Sequence, residues 1–83
     1  MSFYTYILFS EKLNRYYVGS CQDIAVRLEQ HNTGRNTSTK GGSPWAIKLT
    51  ETFDTRSAAQ TREMEIKKKK SRKYIELLVR SAS

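Results

Sequence analysis

Two tyrosine-bearing fragments, Tyr4-Thr5-Tyr6-Ile7-Leu8 and Tyr16-Tyr17-Val18-Gly19-Ser20, stand one short polar turn apart near the start of the chain. No other feature constrains the fold as much. Residues 3 to 9 are mostly β-branched or aromatic, with Phe3, Thr5, Ile7 and Phe9 on one side and Tyr4, Tyr6 and Leu8 on the other. A strand that is apolar or amphipathic on both faces needs cover on both. Ser10 to Asn14 supplies a turn, and Arg15 to Ser20 reads as the return strand of a hairpin. Gly19 closes that strand where a backbone needs close approach.

The remainder alternates helix and strand signals. Asp23 is an N-cap for a helix to about Asn32, with Gly34 as its stop. Ile24, Leu28 and His31 share one face of it, with Arg27 beside them. Thr33 to Ser43 is a polar, glycine-containing loop of the length that is commonly functional or mobile. It is no phosphate-binding P-loop, because no Gly-Lys-Ser/Thr opens a helix after a strand. Trp45 to Phe53 reads as a third strand. Asp54 or Thr55 caps a second helix with Ala58, Ala59, Met64 and Ile66 along it. Ser71 caps a third, in which Tyr74, Leu77 and Leu78 fall at i, i+3 and i+4. The expected class is α+β in the order β-β-α-β-α-α, a small three-stranded sheet flanked by helices. With no repeat and no linker in 83 residues, one domain over 1–83 is expected.

Composition narrows the partner. At 37% hydrophobic and 11% aromatic the chain is globular rather than disordered. A net charge of +7 favours a polyanion, nucleic acid first and an anionic membrane surface second. No apolar run approaches the ~20 residues that span a bilayer, and no signal-peptide pattern opens the chain. Cys21, the lone cysteine, excludes an intrachain disulfide and fits a reducing cytoplasm. It reads as a small filler at a strand-to-helix junction rather than a nucleophile.

Five residues could carry chemistry. Glu63 lies between Ala59 and Ile66 on what should be the buried row of the second helix. A carboxylate there needs a cation: Arg62, Lys67 or Lys70 in a salt bridge, or Mg²⁺, which keeps several waters and borrows phosphate oxygens. Arg27 and His31 are one helical turn apart. They read either as a surface arginine and a half-buried histidine, or as a phosphate clamp and a proton shuttle. Tyr6 and Tyr17, on adjacent hairpin strands, are core aromatics or a phenol pair near positive charge. The run Lys67, Lys68, Lys69, Lys70, Arg72 and Lys73 around Ser71 is either a solvated segment or, with Arg27, a phosphate-tracking patch.

In order and spacing, this set resembles the GIY-YIG nuclease domain, in particular its minimal stand-alone members. Tyr4-Thr5-Tyr6 takes the place of the first triplet and Tyr17-Val18-Gly19 that of the second. Arg27 and His31 lie on the next helix, within Arg27-Leu28-Glu29-Gln30-His31-Asn32, and Glu63 stands at the acidic position. The resemblance covers nearly the whole chain. It implies a metal-dependent endonuclease acting on DNA, on repair-related or branched substrates, using one divalent metal, Mg²⁺ or Mn²⁺. Glu63 would be the metal ligand, Tyr17 the base for the attacking water and Arg27 the phosphate holder. Tyr6 and His31 would orient water or relay protons, and Gly19 would let the backbone close under the site, all meeting on one face of the sheet. The alternative is a nucleic-acid-binding module of the same fold without turnover. Tyr4 stands where the family name has glycine, and Ser20 where some members place lysine. With no second domain to choose targets, a protein partner supplying specificity is expected.

Overall fold

The structure, a computed structural model, describes residues 1–82. Strand β1 (Phe3–Ser10) is central, between β2 (Arg15–Cys21) and β3 (Trp45–Phe53), and both pairings are antiparallel. Helices α1 (Ile24–Asn32), α2 (Arg56–Lys68) and α3 (Arg72–Ser81) complete the order β-β-α-β-α-α. The α+β class and the three-stranded sheet agree with the expectation.

The two-faced character of β1 explains the layering. On one face Tyr6, Leu8, Cys21 and Trp45 form a core, with Tyr17 and with Ile24 and Leu28 of α1 packed against it. On the other, Ile7, Val18 and Ile66 form a second core, joined by Tyr74, Ile75, Leu78 and Val79 of α3. The sheet is therefore sandwiched, α1 on one side and α2 with α3 on the other. Each helix starts on a side-chain cap: Asp23 accepts from the Val26 amide, Thr55 from Ala58 and Ser71 from Tyr74. Gly34, at φ +78, follows the end of α1 in a conformation that favours glycine.

Two expectations need correcting. Met64 is 69% exposed and Leu77 52%, so neither belongs to a core. The apolar stripe of α3 is Tyr74, Ile75, Leu78 and Val79 instead. The basic run spans two helices: α2 ends at Lys68, Lys70 takes a left-handed φ of 48°, and α3 begins at Arg72. The lysines therefore turn a corner.

Candidate active site at the edge strand

The hairpin register sets the site. Tyr6 pairs with Gly19 and Leu8 with Tyr17, so the two phenols are diagonal neighbours on the α1 face, with ring centroids 6.4 Å apart. Gly19 is required by contact: a Cβ there would sit 2.5 Å from the Tyr6 hydroxyl and 3.1 Å from the Tyr17 ring. The glycine leaves the space into which the Tyr6 phenol folds.

From α1, His31 enters this space and is 0% exposed, more deeply buried than the half-buried alternative allowed. Its Nε2 is 2.9 Å from the Tyr6 hydroxyl and its Nδ1 2.8 Å from Thr39 Oγ1. Thr39 donates its own hydroxyl to the Asn36 carbonyl, so it accepts from His31 Nδ1–H. That fixes the tautomer: Nε2 is the acceptor, and Tyr6 donates to it. Burial first, then the charge of Arg27, pushes the His31 pKa below its ordinary 6.5. Burial, with Tyr17 next, pushes Tyr6 well above its ordinary 10.0, while Arg27 opposes. Both shifts keep the chain Tyr6–His31–Thr39 neutral and intact. Tyr17 packs beside it at a tilt of 58°, its ring centroid 4.8 Å from that of His31, and its hydroxyl has no hydrogen-bond partner among the described residues.

The loop from Thr33 to Ser43 is pinned by this chain. Thr39 is fully buried, and its carbonyl accepts the Trp45 indole N–H at 2.9 Å. Thr39 was not singled out from sequence, and no local signal separates it from Thr33 or Thr37.

Glu63 comes from the opposite side. It lies on α2, which packs on the Val18 face, so the five residues do not share one face as expected. Ser20, two residues beyond Val18, projects to that same face and donates to Glu63 Oε1 at 2.6 Å. The period-2 alternation of β2 could have identified Ser20 in advance. Of the three candidate ion-pair partners, Lys67 takes Glu63 Oε2 at 2.6 Å, whereas Arg62 turns to Glu51 at 2.7 Å. The Lys67 ammonium also lies 5.8 Å from the Tyr17 ring centroid. It therefore bridges the two faces round β2, an edge strand. The carboxylate hydrogen-bonds neither phenol directly, although its charge contributes to raising Tyr6. Arg27 is half-buried, borders a narrow cleft with Tyr6, and makes no ion pair among the described residues.

No three His, Cys, Asp or Glu side chains among the described residues group into a metal cage. Glu63 still suits a water-rich divalent ion. Ser20 fixes the orientation of its carboxylate, and Oε2 already faces a cation, the exposed and displaceable Lys67 ammonium.

One stability prediction follows from the two pKa directions. The unfolded chain takes up a proton on His31 below about pH 6.5 that the folded chain refuses, and sheds one from Tyr6 above about pH 10 that the folded chain keeps. The contribution of His31 is complete above pH 6.5 and is lost as pH falls towards its lower folded pKa. That of Tyr6 is complete below pH 10 and is lost above it. Urea unfolding across pH should give a plateau between these limits, and both shoulders should shrink in Tyr6→Phe with His31→Gln.

Comparisons with known proteins identify the family. The GIY-YIG catalytic domain model matches residues 2–75. A UPF0213 protein of Halobacterium salinarum is 40% identical over 53 residues, 63% of this chain and 69% of that protein. One from Haloquadratum walsbyi is 44% identical over 52 residues, 61% of this chain and 58% of that protein. One from Staphylococcus saprophyticus is 38% identical over 63 residues, 75% and 77% of the respective chains. The solution NMR structure of the UPF0213 protein BH0048 from Bacillus halodurans superposes with a TM-score of 0.58 at 31% identity, covering 95% of this chain and 83% of that one. By the extent of the matching model and the shared fold, the chain belongs to the GIY-YIG catalytic domain family, a nuclease family.

Proposed function

We propose that the protein is a metal-dependent endonuclease that hydrolyses DNA phosphodiesters, acting on repair-related or branched DNA with a protein partner to choose targets. The observation that carries this reading is an unengaged phenol, Tyr17, and a half-buried carboxylate, Glu63, on the two sides of one edge strand and joined by Lys67. Glu63 would hold a single Mg²⁺ or Mn²⁺. When bound, the ion supplies Lewis-acid stabilisation of charge on the phosphate.

The protein's own groups divide the remaining work. Tyr17 has a free hydroxyl to take the proton of the attacking water, with the Lys67 ammonium as the positive charge beside it. Tyr6 is kept as a phenol by burial and commits its proton to His31, so it positions rather than ionises. His31, neutral and anchored by Thr39, holds that phenol in place and offers a relay towards the loop. Arg27, permanently charged, would hold the phosphate. The reaction is a one-step displacement by water with no covalent intermediate.

Incubating pure protein with supercoiled DNA should give nicked circles in Mg²⁺ or Mn²⁺ and none in EDTA. A second reading, binding without turnover, is favoured by one observation: Lys67 already neutralises Glu63 and must be displaced before a metal can bind. Salt-sensitive DNA binding with no nicking in either metal would select it.

A further inference from the structure

On the α3 side of β2 runs a groove of about 480 Å³ that includes Tyr17 and Lys67 and extends beyond them along residues the chemistry above does not use. Its walls carry four cations, Arg15, Lys67, Lys70 and Arg72, and no carboxylate. The comparable grooves on the outer flank of α2 and round Pro44 each include a glutamate, Glu65 and Glu11. The groove lies where β2 meets the corner between α2 and α3. Lys67, one helical turn on from Glu63, and the left-handed Lys70 both border the groove beside β2, while Lys68 and Lys69 border a different surface with Arg62 and Tyr74.

The floor of the groove is built rather than fluid. Arg72 donates to the Asn14 carbonyl at 2.7 Å and its side-chain oxygen at 2.8 Å, pairs with Glu76 at 3.1 Å, and lies 5.3 Å from the Tyr16 ring centroid. Tyr16 in turn packs on Phe9 at 4.7 Å. Arg72 therefore ties α3 to the hairpin turn. Arg15 and Lys70 are exposed on the same walls, and neither forms an ion pair among the described residues.

We infer that this groove is the track for the phosphate backbone of duplex DNA flanking the scissile bond, with Arg15 and Lys70 as its phosphate contacts. The inference rests on the nuclease reading for the choice of polyanion. Because Tyr17 and Lys67 also line the groove, a strand lying in it passes directly beside the unengaged phenol. Contacts of this kind position the backbone without reading sequence, so affinity is salt-dependent and sequence-independent.

The test is fluorescence anisotropy with a short labelled DNA duplex in EDTA, which separates binding from cleavage. The double variant Arg15→Gln with Lys70→Gln should bind about tenfold or more weakly. Its slope of log affinity against log salt should be shallower by about 1 to 2. Lys48→Gln, on the opposite edge strand, should bind like wild type, as a charge-matched control for Arg15→Gln, and thermal melts should show every variant folded. Unchanged affinity and slope in Arg15→Gln and in the double variant would overturn the groove, whatever the cleavage assay gives. Anionic vesicles that displace the duplex through the same two residues, and bind more tightly than it does, would overturn it too, making the surface a membrane contact. If binding falls as expected but Mg²⁺ supports no nicking, the groove stands and the hydrolytic reading fails.

Discussion

Glu63→Gln should reduce Mg²⁺-dependent nicking by at least about 100-fold while leaving the fold intact. The substitution keeps shape and removes one negative charge. Ser20 can still donate to the amide oxygen, so the side chain keeps its orientation. The lost Lys67 pair is half exposed on the lysine side, and such pairs contribute about 0–1 kcal/mol. Unfolding midpoints of wild type and variant should therefore nearly coincide. What disappears is the anionic ligand proposed for the divalent ion. Titration with Mn²⁺, followed by the paramagnetic signal of the free ion, should show weaker binding in the variant. Retention of both metal affinity and nicking would remove Glu63 from the chemistry.

The largest stability effect is expected at His31. His31→Ala deletes a fully buried ring and leaves both the Tyr6 hydroxyl and Thr39 without their histidine partner. A cavity and an orphaned buried donor together cost about 2–4 kcal/mol. In a small domain, whose stability is typically about 5–15 kcal/mol, that is a large fraction of the total. Urea unfolding should show the loss as a lower midpoint at unchanged slope. The loop through Thr39 should loosen as well, seen as faster amide exchange from residues 36 to 42. A loss below about 1 kcal/mol would mean that the histidine chain is not a structural anchor.

Much of this architecture is readable from local rules. The three helix caps and the strand alternation each depend on neighbours within a few residues, and the structure agrees at Asp23, Thr55 and Ser71. The misplaced apolar residues are instructive. Leu77 satisfies an i, i+3, i+4 pattern with Tyr74 and Leu78, yet lies roughly 130° round the helix from the centre of the true stripe. Met64 is about 160° from Ile66 on the same geometry. Only the packing partner decides which of two possible stripes is buried.

The candidate site was legible in a different measure. Tyr6, Tyr17, Arg27, His31 and Glu63 can all be picked out from residue type and order. That Glu63 approaches from the far face of the sheet follows only once α2 and α1 are placed on opposite sides. Thr39 depends on how an eleven-residue loop folds back over α1, a tertiary event with no sequence period. Ser20 looks like a departure from the family pattern in one dimension. In three dimensions it is the hydroxyl that orients the acid.

The central claim is that Tyr17 and Glu63, though on opposite faces of the sheet, serve one phosphate round the edge of β2. Single-turnover nicking by Tyr17→Phe, Glu63→Gln and the double variant tests it most directly. Groups acting as one unit are not additive, so the double variant should be no slower than the worse single variant. If the two rate losses multiply instead, the phenol and the carboxylate act independently and the single-site description is wrong.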